Sequence, residues 1–165
     1  AYPFAFDLCL QLRLAPGALA IRAVIANRSD APMPFSLGLH PYFNVSDLAG
    51  VRVEGLPKRC FNHLTMADAS SSEQLSQIEQ GIDLLVRPAA DVVLVDAGAR
   101  NGAGRRITLH TSHPLDRVVL WSDPPRPMLC LEPWSGPRSA LISGDGRLEL
   151  APGANMALQT RYTVS

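Results

Sequence analysis

The run Leu8-Cys9-Leu10-Gln11-Leu12-Arg13-Leu14, the turn Ala15-Pro16-Gly17-Ala18 and the run Leu19-Ala20-Ile21-Arg22-Ala23-Val24-Ile25-Ala26 decide the fold class. In the first run leucine takes every second position, which is the period of a half-buried strand. The second run continues the pattern beyond a turn of the composition that joins paired strands, so the two read as a hairpin. Further strands are predicted at Val51–Glu54, Asp91–Val95, Arg106–Thr111, Arg117–Trp121, Met128–Glu132, Arg147–Leu150 and Met156–Val164. Ser143-Gly144-Asp145-Gly146, between Ala140-Leu141-Ile142 and Leu148-Glu149-Leu150, reads as a hairpin turn.

No segment carries a helical stripe. The best candidate, Ser72 to Gln80, is short and polar, and belongs to a Ser- and Gln-rich stretch that reads as an exposed loop. Gly98 to Gly104 reads as another loop, and Ser122-Asp123-Pro124-Pro125-Arg126-Pro127 as a stiff connector. Many short strands separated by turns predict an all-β antiparallel sandwich, and 165 residues suffice for one such domain over 1–165.

Composition narrows the function. Hydrophobic residues make up 47%, which argues for a folded core. Fifteen basic and fifteen acidic residues cancel, and Lys58 is the sole lysine, so nothing predicts a phosphate-tracking surface for nucleic acid. No apolar run approaches the length of a membrane span; Val92-Val93-Leu94-Val95, for example, stops at Asp96. Ala1-Tyr2-Pro3-Phe4 has neither a basic region nor a small-residue cleavage pattern, so no secretory signal is expected. It also lacks an initiating Met, which predicts processing or a missing front. Cys9, Cys60 and Cys130 have no metal-type spacing, and a reduced Cys130 in an apolar run favours a cytoplasmic or plastid-stromal setting.

Two titratable residues stand directly before prolines: His40 in Gly38-Leu39-His40-Pro41-Tyr42-Phe43-Asn44, and Glu132 in Cys130-Leu131-Glu132-Pro133-Trp134-Ser135-Gly136-Pro137. Proline biases the preceding residue toward extended backbone, so both side chains are expected on stiff, strand-like chain. An aromatic residue follows each proline, fit to wall a pocket. An imidazole and a carboxylate so held suit paired general acid–base chemistry. Taken alone, His40 also reads as a core histidine. Glu132 follows Met128-Leu129-Cys130-Leu131, where an unpaired buried carboxylate is costly, and this favours a pocket.

Pro34-Phe35-Ser36-Leu37-Gly38-Leu39-His40-Pro41-Tyr42-Phe43 and Leu131-Glu132-Pro133-Trp134, in this order, resemble the aldose 1-epimerase (mutarotase) family, and most closely its galactose mutarotase-like and hexose-6-phosphate mutarotase-like branch. The resemblance runs from Tyr2-Pro3-Phe4 to Tyr162 and implies an antiparallel β-supersandwich that binds a hexose or hexose phosphate without metal or organic cofactor. It implies that His40 protonates the ring oxygen and that Glu132 takes the proton of the anomeric hydroxyl. It places Asp83, in Gly81-Ile82-Asp83, as a binder of sugar hydroxyls. The residues themselves agree: Tyr42, Phe43 and Trp134 are fit to supply apolar faces for sugar C–H groups. Mutarotation needs only these two proton transfers, each contributing roughly 10²–10⁴-fold.

The resemblance is to the C-terminal half of longer family members, so the sandwich is expected to be truncated on its N-terminal side. The arginine and second histidine that clamp the sugar in the family have no counterpart among the 39 residues before His40. A half-sandwich is expected to expose sheet edges and an apolar face, which another copy or a partner chain would cover. The alternative function is therefore a non-catalytic carbohydrate-binding or protein-interaction module of the same fold.

Other residues read as structural. His63, His110 and His113 have no partner at metal-ligand spacing, and His110 and His113 are expected on opposite strand faces. On composition Trp121 and Trp134 read as core, with Trp134 raised by its place beside Glu132. Ser135-Gly136 does not follow the nucleophile-elbow pattern.

Overall fold

The computed structural model describes residues 2–98 and 104–165, and within these the chain is built mainly of antiparallel strands. One six-stranded sheet runs, in spatial order, β1 (Phe6–Ala15), β2 (Ala18–Asn27), β14 (Asn155–Val164), β10 (Arg105–His110), β9 (Val92–Asp96) and β5 (Val51–Glu54). The second runs β4 (Tyr42–Asn44), β12 (Met128–Trp134), β11 (Arg117–Trp121), β8 (Asp83–Val86), β6 (Arg59–Asn62) and β7 (Ala67–Ser70). A small third sheet pairs β3 (Met33–Phe35) with β13 (Leu148–Leu150). Two short helices, α1 (Ser71–Leu75) and α2 (Ala140–Ser143), complete the elements used below.

Strand alternation builds the core. Leu129 and Leu131 of β12, Val118 and Leu120 of β11, and Leu84 and Val86 of β8 pack against Val92, Leu94, Ile107, Leu109 and Tyr162 of the first sheet. The hydroxyl of Tyr162 crosses between the sheets and donates to the carbonyl of Leu131 at 2.8 Å. A second cluster seats Met33, Phe35 and Leu150 against Ala23, Ile25 and Leu158. The residues that alternate with the inward leucines of β12, namely Cys130, Glu132 and Trp134, face away from the core. That face carries the chemistry.

The β1–β2 hairpin forms as expected, in unbroken register from Phe6 opposite Asn27 to Ala15 opposite Ala18. Gly17 sits at φ +64° in the turn, a conformation glycine adopts without steric cost. The expected half-burial of β1 does not hold. Leu8, Leu10, Leu12 and Leu14 are 45%, 52%, 68% and 80% exposed, because β1 is a sheet edge with no layer over its leucine face.

Ser143 to Gly146 is not a hairpin turn. Ala140–Ser143 is helical, with Ser143 and Gly144 donating back to Ser139 and Ala140, and Gly144 ends the turn at φ +82°. Leu148–Leu150 pairs instead with Met33–Phe35, whose side chains share its core cluster. The polar stretch after Ser70 is likewise a helix start rather than a loop. Ser70 caps α1 by accepting from the Glu73 amide, and Ile78 beyond it is buried. The loop predicted at Gly98 to Gly104 falls on 99–103, outside the described residues. Among the described residues no helix is long and apolar enough to cross a membrane.

Candidate active site

Cross-strand register collects the site. Tyr42 of β4 stands opposite Cys130 of β12, Cys130 opposite Trp121 of β11, and Trp121 opposite Asp83 of β8. These four residues form one row on the face away from the core, and Glu132 lies in the next row, opposite Val119. His40 reaches the same face from the connection between β3 and β4. Its approach is fixed by two backbone bonds, Leu39 N–H to the Pro133 carbonyl at 3.1 Å and Ser135 N–H to the Leu37 carbonyl at 2.9 Å. The Pro133 carbonyl, and with it the position of the missing N–H, faces this segment, so proline costs the ladder with β11 nothing.

His40 Nδ1 lies 3.2 Å from Glu132 Oε1. The imidazole is half exposed, stacks on Tyr42 at 4.8 Å and meets the edge of Trp121 at 5.7 Å. Trp121 is thus half-buried at the site rather than a core residue, because its strand position puts it on the outer face. The Glu132 carboxylate is 1% exposed. Its Oε2 accepts the indole N–H of Trp134 at 3.0 Å, while no hydrogen bond reaches Oε1. Burial lifts the Glu132 carboxyl to about 7; Trp134 opposes this, the Asp83 charge adds to it, and Arg138 opposes it. Such a carboxyl exchanges protons near neutral pH.

Asp83 is buried beside this pair, but both its oxygens are taken. Oδ1 is 2.7 Å from His63 Nδ1, and Oδ2 accepts from Arg138 at 2.8 Å. His63 is buried and stacks near Trp134, with ring centres 6.3 Å apart. Two residues of the site were therefore missed by sequence reasoning. His63 pairs with a residue on another strand, a contact no local spacing reveals. Arg138 reaches Asp83, 55 residues away in sequence, from the loop after Pro137, and no sequence motif marks that contact.

The cleft in front of the pair has a volume of about 560 Å³ and is lined by His40, Glu132, Trp134 and Arg138, with Gly38 and Leu141 at its walls. A larger cleft of about 640 Å³ lies on the first sheet around Gln11, Arg22 and Gln159, away from this pair. His110 there is held by Asp91 at 2.7 Å and Thr163 at 3.0 Å, whereas His113 reaches Asp116, so the two histidines do not share a ligand. Among the described residues His40, Cys130 and Glu132 bring ligand-type atoms within 4.8 Å of one another. Burial, and then the Glu132 charge, push the Cys130 thiol up to about 12, which disfavours the thiolate that binds metal.

The antiparallel fold is that of galactose mutarotase-like proteins. The chain belongs to the aldose 1-epimerase family, whose profile matches residues 1–163. The Slr1438 protein of Synechocystis sp. PCC 6803 is 32% identical with a TM-score of 0.90, over all of this chain and 56% of that one. A galactose mutarotase-like protein of Clostridium acetobutylicum shares the fold at 18% identity and a TM-score of 0.80, over 99% of this chain and 57% of that one. A galactose mutarotase related enzyme of Lactobacillus acidophilus does so at 19% and 0.71, over 99% and 63%. The chain thus spans little more than half the length of these structures. No similar sequence is found among curated proteins.

Proposed function

We propose that this chain carries the acid–base pair of an aldose 1-epimerase and interconverts the α and β anomers of a hexose or hexose phosphate. The observation that supports this most is a buried carboxyl lifted to about 7, with an imidazole 3.2 Å from its free oxygen. In this reading Glu132 takes the proton of the anomeric hydroxyl while His40 gives one to the ring oxygen. The C1–ring oxygen bond breaks and an open-chain aldehyde forms. After rotation about C1–C2 the ring closes on the other face of the carbonyl; Glu132 returns its proton to the new hydroxyl and His40 recovers its own. No net proton is consumed. Because the two groups touch, the sugar has to part or bridge them as it binds.

Trp134 gives the cleft a flat wall for sugar C–H groups, and Tyr42 and Trp121 flank His40 beside it, whereas Phe43 packs on Tyr162 in the core. The three free cysteines support the reading of a reducing compartment, cytoplasm or plastid stroma. The exposed leucine face of β1 supports a second reading, a module of this fold that docks on another protein surface. Polarimetry of freshly dissolved α-D-glucose, α-D-galactose and α-D-glucose 6-phosphate separates the two. The first reading expects faster mutarotation of at least one sugar; uncatalysed rates with all three contradict it.

A further inference from the structure

We propose that Arg138 is the residue that orients the sugar in this cleft, by donating to hydroxyls of an uncharged ring, and that Asp83 and His63 act behind it as positioning residues. This rests on the sugar-binding reading above. Asp83 carries the carboxylate expected to bind hydroxyls, yet its Oδ1 is engaged by His63 and its Oδ2 by Arg138. With an ionised carboxylate, which only accepts, His63 Nδ1 must donate. His63 is itself fixed: its side chain is 1% exposed, and its amide donates to the Asp83 carbonyl at 2.8 Å.

Arg138 is the opposite case. Its side chain is 54% exposed and lines the cleft together with His40 and Glu132. One of its five N–H donors points toward Asp83, and the geometry of the guanidinium leaves others for a ligand. A guanidinium pinned at one edge loses less freedom when it binds, which is the benefit of preorganisation. Its charge is offset by Asp83, it is the single Lys or Arg among the described residues lining the cleft, and the Glu132 carboxylate shares that cleft. Hydroxyls therefore fit better than a phosphate dianion.

The test uses 1,5-anhydroglucitol, which has no anomeric hydroxyl, so binding is read apart from turnover. Titration followed by protein NMR should show saturable binding that Arg138→Met weakens at least tenfold and Arg138→Lys weakens less. Asp83→Asn should weaken it too, and Asp83→Asn with Arg138→Met together should bind within about twofold of Arg138→Met alone, as expected for residues acting through one contact. Far-UV circular dichroism checks that each variant is folded. Absence of saturable binding by the wild type, Arg138→Met binding like the wild type, or losses that multiply in the double variant overturn the proposal. So does 1,5-anhydroglucitol 6-phosphate binding ten times more tightly than the neutral probe in an Arg138-dependent way. Loss of the epimerase reading is a separate result, full turnover by Glu132→Gln, and leaves these binding data interpretable.

Discussion

Gly38 lies beneath the indole of Trp134 so closely that a Cβ at position 38 would stand 2.7 Å from Cδ1 and 2.8 Å from Nε1. That nitrogen donates to Glu132 Oε2 at 3.0 Å, so an absent side chain on one segment sets the hydrogen bond that holds the carboxylate on another. Gly38→Ala should displace the indole and break this bond. We expect a loss of about 1–3 kcal/mol of stability in chemical denaturation, as for other overpacked sites, together with a reduced rate of anomerisation. Unchanged stability and rate would show that the indole has room to move.

Trp134→Phe keeps a ring but removes the donor. The indole N–H lowers the Glu132 pKa, so its removal should raise that pKa further. Activity needs the ionised base and should rise with pH through about 7 in the wild type. In the variant the rising limb should move to higher pH. The rate at pH 6.5 should fall by roughly three- to tenfold, as expected when the charged form loses a hydrogen bond worth about 0.7–1.4 kcal/mol. A pH–rate profile checks this.

The same carboxyl links stability to pH. Its pKa is raised on folding, from 4.5 to about 7, so the folded state favours the proton. The associated stability is fully present below 4.5 and is lost as pH rises through about 7, by up to roughly 3 kcal/mol in all. Glu132→Gln removes this titration. Thermal melts should show the variant gaining on the wild type between pH 5 and pH 8, with the difference flat above pH 8.

Arg117 clips the loop that carries Arg138. Buried on β11, it donates to the Ser135 carbonyl at 2.6 Å and to Asp145. Arg117→Met should cost about 1–3 kcal/mol by leaving a buried carbonyl unpaired. It should also raise KM more than it lowers kcat, because the loop from Gly136 to Ser139 and the start of α2 line the cleft. Steady-state kinetics beside urea denaturation separates the two effects.

The hairpin of β1 and β2 was legible because leucine at every second position has one reading, and the prolines after His40 and Glu132 drew attention to the candidate site. What escaped were short elements whose identity depends on distant partners. Leu148–Leu150 has the same local pattern whether it folds back on Ala140–Ile142 or pairs with Met33–Phe35, and only the shared core with Ala23 and Leu158 decides. The strands Arg59–Asn62 and Asp83–Val86 do not alternate apolar with polar residues as the equally short Val51–Glu54 does, so periodicity gave no signal there. Ser70 and Glu73, three apart, did hold the signature of a capped helix start within the polar stretch. His63 and Arg138 meet at Asp83 through tertiary packing alone. The exposure of the β1 leucines shows the reverse limit: alternation reveals which face is apolar, not whether anything covers it.

The central claim is that Glu132 is the base of an anomerase. Magnetisation-transfer NMR on an equilibrated hexose, with the wild-type chain and with Glu132→Gln at equal concentration, tests it most directly. The account predicts exchange between the α and β C1 protons that the wild type accelerates and the variant slows by roughly 10²–10⁴-fold, toward the rate in buffer. Equal acceleration by both proteins would contradict it.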